Sequence, residues 1–160
     1  YDILINAFAE VLIEIPNAQL TIMGDGPLRQ ELIDLAVSIG ISNHVSLMSF
    51  QGNPFKSLAL SDIFVLSSDY EGFGNVIVEA LALGLMVVST DCPSGPREIL
   101  EDGKYGVLVP CGKSHDLALG ILQVARGEVF INGQVERSVT FDISVAVEQY
   151  HQVFKEFIIK

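Results

Sequence analysis

The chain has 160 residues and a formal net charge of −11, with nine Lys and Arg set singly among twenty Asp and Glu. That balance argues against non-specific nucleic-acid binding and against electrostatic attachment to anionic lipid. Hydrophobic residues make up 49% and charged residues 18%, which fits one domain with a real core, and no stretch of about 18 apolar residues escapes a charge or glycine break.

In chain order, helical and strand patterns alternate. "DILINAFAEVLIEI" places Ile3, Leu4, Ala7, Phe8, Val11 and Leu12 on one helical face. Pro16 and Asn17 end that helix, and "QLTIMG" reads as a strand. "GDGP" is a turn that puts Pro27 at a first helical position. Leu28, Leu32, Leu35, Ala36 and Ile39 then form an amphipathic helix with Gly40 as its stop. "VSLMSF" is a strand, "QGNP" a turn and "FKSLALS" a short helix. "IFVLSS" is a strand that leads through a glycine-punctuated bend into a helix from about Asn75 to Leu83, with Gly84 as its stop.

The second half continues with "MVVST" as a strand, "DCPSG" as a loop, "PREIL" as a short helix, "EDGKYG" as a turn and "VLVP" as a strand. "SHDLALGILQVA" is helical, and residues 127–140 carry no readable pattern. "ISVAVEQYHQVFKEFI" is a final amphipathic helix with Asp142 as its N-cap. Short apolar strands separated by helices predict an α/β fold, a doubly wound parallel sheet covered on both faces.

Cys92 and Cys111 are far apart in sequence and form no CxxC, so they read as reduced cytosolic thiols rather than a disulfide or metal pair. His44, His115 and His151 are isolated and suggest no zinc cluster. Residue 1 is a tyrosine inside an amphipathic pattern, without initiator methionine, signal peptide or basic arm. The expectation is a single domain, residues 1–160, cut from a longer protein and lacking the strand that should precede its first helix.

The stretch "SSDYEGFGNVIVEALALG" carries the chemistry. In an open parallel sheet, ligands sit beyond the carboxyl ends of the strands, where loops enter helices. Gly72 and Gly74 let the backbone turn sharply and let a ligand approach. The helix beginning at Asn75 presents unpaired N–H groups and the positive end of its dipole, which suits phosphate. Carboxylates would repel phosphate but accept hydrogen bonds from sugar hydroxyls. Glu71 precedes the bend, and Glu79 lies four residues after Asn75, about 6 Å along the same face. Acceptors on both sides of N–H donors suit a ligand with sugar at each end and phosphate between, as in a nucleotide-activated sugar. Taken singly, Glu79 reads more often as a solvated carboxylate favoured by the dipole than as a ligand, and Glu71 alone reads as a turn residue.

At these residues the chain resembles a known family. The spacing of Glu71 and Glu79 in "EGFGNVIVEALALG" is similar to the signature of retaining glycosyltransferases of the GT-B fold, family 4. "YDILINAFAEV", "LTIMGDGPLRQEL", "DIFVLSSDYEGFGNVIVEALALGLMVVSTDCPSGPREIL" and "DGKYGVLVP" fall in the family's order, so the resemblance spans nearly the whole chain. The flank "STDCPSGPREIL" is most similar to bacterial enzymes that add an N-acetylhexosamine or hexose to lipid-linked or surface glycans.

The resemblance implies a Rossmann-like, C-terminal, donor-binding half of a two-domain enzyme. Glu71 would hold hydroxyls of the transferred sugar, and Glu79 those of the ribose. Backbone N–H groups of the bend, Gly72, Phe73, Gly74, Asn75 and Val76, would line the sugar and diphosphate site. Phe50 and Gln51 match the region that lines the base. Gly24 and Gly26 lie on the same rim, with a tight strand-to-helix connection as their simpler reading. The donor would be a nucleoside diphosphate sugar, UDP-linked by expectation, and the acceptor a glycan or lipid-linked glycan bound by an absent N-terminal domain.

The family carries an arginine and a lysine just upstream of this chain's start, to neutralise the diphosphate; Arg97 and Lys104 are the substitutes to weigh, and both read more simply as structural or solvated. Neither metal nor cofactor is expected. The implied setting is cytoplasmic, with the full-length enzyme peripheral on the inner membrane if its acceptor is lipid-linked. The isolated fragment is expected to bind nucleotide weakly and to be inactive. Two other classes stay open: a non-catalytic sugar-nucleotide binding or regulatory module, and a phosphoacceptor signalling domain using Asp69 or Asp91. The second lacks a lysine partner in sequence.

Overall fold

The computed structural model describes residues 1–158, so the last two residues of the expected 1–160 domain lie outside the described residues. The chain begins with helix α1 (Asp2–Glu14), then strand β1 (Leu20–Met23), α2 (Arg29–Ser38), a short 3₁₀ turn (Ser42–His44), β2 (Val45–Met48) and α3 (Phe55–Leu58). It continues with β3 (Ile63–Leu66), α4 (Asn75–Ala82), β4 (Met86–Thr90), α5 (Pro96–Ile99), β5 (Val107–Val109), α6 (Ser114–Ala125), α7 (Gln134–Val139) and α8 (Ile143–Ile158).

Every strand pairing is parallel, as short apolar strands separated by helices require. β4 lies between β3 and β5, with Val65 opposite Val88 and Val88 opposite Val107. Along β4, Val87 packs into one core and Val88 into the other, because successive strand residues point to opposite faces. One core joins α1 and α6 to the sheet through Leu4, Phe8, Val11, Val88, Leu117 and Ile121. The other joins α4 and α5 to the opposite face through Leu66, Ile77, Leu81, Val87, Ile99 and Leu100. The doubly wound, Rossmann-like arrangement expected of the chain is therefore present.

Several details depart from the expectation. The sheet is divided: β1 pairs with β2, β3–β5 form a second sheet, and no ladder among the described residues joins β1 to β3. The two sheets are united by side chains, with Ile22 of β1 in the same core as Val88 of β4. α2 starts at Arg29, and Pro27 lies in the turn before it, so the proline serves the turn and not the first helical position. Of the apolar face expected on α2, only Ala36 is fully buried, while Leu28 and Ile39 are exposed, because the helix lies at the periphery. On α1 the buried stripe is wider than expected and takes in Ile5, which is 0% exposed. α7 forms inside the unreadable residues 127–140 and packs on α4.

The helix ends follow local rules. Gly40, with φ of 80°, follows α2, and the N–H of Ile41 reaches back to the carbonyl of Ala36 at 2.9 Å. Gly84 does the same for α4, where Leu85 N–H meets the Ala80 carbonyl at 3.1 Å. Asp142 caps α8 by accepting the Ser144 N–H at 2.8 Å. α8 leaves Ile143, Val147, Tyr150, Phe154 and Phe157 exposed on its surface.

Two outcomes are expected. Ile77 lies on the buried face of α4 and is 0% exposed; Ile77→Ala should cost about 2–5 kcal/mol of stability in urea unfolding, from lost transfer energy and a cavity. His115 on α6 meets the Glu10 carboxylate of α1 at 2.6 Å, and this bond raises the imidazole pKa from its ordinary 6.5. The folded state thus binds the proton more tightly. The contribution is fully present below the ordinary imidazole pKa and is lost as pH rises through the raised value. Thermal melts should show a small wild-type advantage over Glu10→Gln under mildly acidic conditions that vanishes in alkaline buffer; a margin constant with pH would refute the ionic link.

Candidate functional site

The bend that follows β3 is fastened at its root. Thr90 is 0% exposed at the carboxyl end of β4, and its hydroxyl donates to the Ser68 carbonyl at 2.6 Å. The Cys111 thiol donates weakly to the same carbonyl at 3.9 Å. From that anchor the chain runs through Tyr70, Glu71 and Gly72 to Gly74, which takes φ of 92° and precedes α4. A side chain at that φ would be strained, so glycine is required there. The Gly74 carbonyl accepts the Ile77 N–H at 2.9 Å and starts the helix.

No side chain caps α4. The N–H groups of its first turn, at Asn75 and Val76, have no carbonyl within the helix to receive them, and both residues are exposed. The positive end of the helix dipole therefore opens at the carboxyl edge of the sheet. Glu71 and Glu79 are each partly buried on either side of this opening in sequence. Burial pushes the Cys92 thiol pKa up, and the charges of Cys111 and Glu71 push it further. Both cysteines are free, and Cys111 is likewise raised, by burial and then by Asp69.

A second cluster forms on the rim of the other sheet. Gly24 N–H bonds the Met48 carbonyl at 3.0 Å, and Asp25 accepts the Phe50 N–H at 2.8 Å. These bonds bring Gly24 and Gly26 together with Phe50 and Gln51 at the carboxyl ends of β1 and β2. Phe50 is 76% exposed there, and Gln51 accepts a long bond from the Ser57 hydroxyl at 3.5 Å. No hydrogen bond among the described residues ties this rim to residues 71–79. The expected site residues thus form two groups at the same end of their strands.

The substitute cations are taken. Arg97 binds Asp91 through two guanidinium nitrogens and Asp102 at 3.1 Å. Lys104 binds Glu101 at 3.0 Å and lies 4.9 Å from the centre of the Tyr105 ring. Asp91, one of the two aspartates a phosphoacceptor domain would use, is held by Arg97, and Asp69 is exposed in the bend. Among the described residues no three His, Cys, Asp or Glu side chains converge as a metal site, and no helix is long and apolar enough to cross a membrane. An open depression of about 490 Å³ lies along β5 and the 129–131 segment, at the amino end of that strand and away from the α4 opening.

Sequence reasoning missed the support behind the bend. Gly95, the residue before α5, lies against the Phe73 carbonyl so closely that a Cβ built on it would fall 1.6 Å from that oxygen. The Phe73 ring meets Phe141 edge-on, with centroids 5.5 Å apart. Pro96 after Gly95 was the available signal, since proline at a first helical position marks the residue before it as a cap.

Comparison with known proteins agrees with the fold and identifies the family. The family described as Glycosyl transferases group 1 matches residues 1–136. An uncharacterised glycosyltransferase of Methanocaldococcus jannaschii is 46% identical over 118 residues, covering 66% of this chain and 29% of that protein. A Campylobacter jejuni enzyme, N-acetylgalactosamine-N,N'-diacetylbacillosaminyl-diphospho-undecaprenol 4-alpha-N-acetylgalactosaminyltransferase, is 35% identical over 121 residues, covering 76% of this chain and 32% of the enzyme. The crystal structure of Anabaena Alr3699/HepE in complex with UDP superposes with a TM-score of 0.85 at 27% identity, covering 96% of this chain and 44% of that one. The chain thus spans about a third of the length of these curated relatives. With a doubly wound parallel fold and a family match over residues 1–136, the chain belongs to the Glycosyl transferases group 1 family.

Proposed function

We propose that this chain is the donor-binding half of a retaining, metal-independent glycosyltransferase that moves a hexose or N-acetylhexosamine from a UDP-sugar to a glycan or lipid-linked acceptor. The observation that carries the reading is the uncapped α4 N-terminus behind Gly74, flanked by Glu71 and Glu79. UDP in the Anabaena structure supports the nucleotide, and the diphospho-undecaprenol substrate in the Campylobacter enzyme's name supports the acceptor class.

On this reading the amides of Gly74, Asn75 and Val76 receive the diphosphate, and the dipole of α4 stabilises charge developing on it as the glycosidic bond breaks. Glu79 accepts hydrogen bonds from the ribose hydroxyls, and Glu71 from hydroxyls of the transferred sugar. A carboxylate beside the anomeric centre also favours the positive charge of an oxocarbenium-like transition state. Phe50 and Gln51 line the base, and Gly24 and Gly26 complete the rim. Arg97 and Lys104 take no part, being held by acidic partners. The remaining neutralisation falls to the arginine and lysine that the resemblance implies upstream of Tyr1 in the full-length enzyme.

Two substitutions test the roles. In the full-length enzyme, Glu71→Gln should lower kcat by roughly a hundredfold, the scale of losing one electrostatic contact in the transition state, with little change in UDP affinity. Glu79→Gln should instead weaken UDP binding by about tenfold or more, the scale of a hydrogen bond to a charged group. Unchanged kinetics from Glu71→Gln would remove it from the mechanism. A full-length protein that binds UDP-sugars and transfers nothing would favour the non-catalytic module.

A titration of this chain with UDP should move amide resonances at residues 71–79 and leave those lining the β5 depression in place. Movement confined to the depression would overturn the site.

A further inference from the structure

Behind the bend, a four-residue helix does more than connect two strands. α5 (Pro96–Ile99) touches the bend at both of its ends. At its start, Gly95 adopts φ of 89° and ψ of −69°, a conformation that strains any residue bearing a Cβ. A Cβ there would lie 1.6 Å from the Phe73 oxygen, 2.4 Å from its carbonyl carbon and 3.0 Å from its Cα. All three are main-chain atoms, so no rotamer change could relieve the overlap. The contact is backbone on backbone, and it fixes the peptide that joins Phe73 to Gly74. At the end of α5, Ile99 reaches the same place: its Cδ1 lies 3.7 Å from where a Gly74 Cβ would stand.

The Phe73 side chain is held by the same helix through a relay. Its ring meets Phe141 at 5.5 Å with planes at 66°, the edge-to-face arrangement that aromatic pairs prefer. The Arg137 guanidinium lies 4.7 Å from the Phe141 centroid and 5.5 Å from that of Tyr105. Arg137 also donates to the Ile99 carbonyl at 2.8 Å and the Glu98 carbonyl at 2.6 Å, which are end groups of α5. One short helix therefore grips Phe73 by its main chain through Gly95 and by its ring through Arg137 and Phe141.

We propose that Gly95 and Phe141 are positioning residues for the donor site, locking the Phe73 peptide so that the first amides of α4 stay presented. This rests on the donor-binding reading above. The lock supplies what a main-chain anion site needs. Amide donors stabilise charge only if they do not have to reorganise as it develops, and the bend ahead of α4 has no capping side chain to hold it. It also gives residues 127–140 a purpose, since α7 carries Arg137 and leads directly to Phe141.

The test separates the mechanical claim from the functional one. In full-length enzyme labelled with ¹⁵N-Phe and ¹⁵N-Val, Phe141→Leu should shift the Phe73 and Val76 amide resonances without ligand, while the circular dichroism spectrum stays that of wild type. The same variant should weaken UDP binding about tenfold and leave the acceptor KM unchanged, and Phe141→Tyr, which keeps the ring edge, should restore both readouts. Gly95→Ala should have the larger effect; if it does not fold, the Phe141 pair carries the test. Wild-type resonances and affinity in Phe141→Leu would overturn the proposal. Failure of the wild type to bind UDP, with the ligand-free shifts present, would sink the donor reading and the assigned role together while leaving the lock itself intact.

Discussion

A strand buried on both faces and paired on both edges has no freedom left, and β4 is that strand. Val87 and Val88 are each 0% exposed and belong to opposite cores, while β3 and β5 occupy the two edges. Its last residues inherit that rigidity. Ser89 and Thr90 are also 0% exposed, and Thr90 uses its hydroxyl to hold Ser68, where the bend begins. The N–H of Asp91 is bound by Val109 at 2.7 Å, which carries the alignment of β4 and β5 one step beyond the ladder. The bend ahead of α4 thus hangs from a strand held on both faces and both edges, which is what the proposed main-chain site requires.

Electrostatics set a second condition. A chain with a net charge of −11 is a poor long-range attractor for a diphosphate, and Arg97 and Lys104 are paired with Asp91, Asp102 and Glu101. On the donor-binding reading proposed above, attraction acts at short range, from oriented dipoles at the α4 terminus, where salt screens little because the distances are below a Debye length of about 8 Å. The same local acidity acts on the thiols. Cys92 is raised by burial, then by its neighbours Cys111 and Glu71, which favours the protonated, unreactive thiol there.

Much of this was legible in the sequence. Short apolar runs located the strands, and period-3.6 patterns located helices with strong apolar stripes such as α1, α4 and α6. Gly40 and Gly84 marked helix ends because only a left-handed residue allows the closing bonds. The spacing of Glu71, Gly74 and Glu79 placed the candidate site, since strand, bend and helix start are local features. What escaped notice depends on distance in sequence. α7 has little apolar periodicity, and its meaning comes from Arg137 reaching the carbonyls of Glu98 and Ile99, 39 and 38 positions away. Gly95 looked like loop punctuation, and only the backbone it touches explains the missing Cβ. Pro27 carried a helix-start signal that a turn can use equally well, and the turn took it.

The surface of α8 has a colloidal consequence. Tyr150, Phe154 and Phe157 lie 68%, 59% and 77% exposed on a helix that ends the described chain. Such surface makes copies of the chain sticky, and the net charge of −11 is the force that keeps them apart. That repulsion is carried by carboxylates, so it fades as acid protonates them and shortens its reach as salt is added. Dispersed in dilute neutral buffer, the chain should cluster reversibly through this helix when either change weakens its coat of charge.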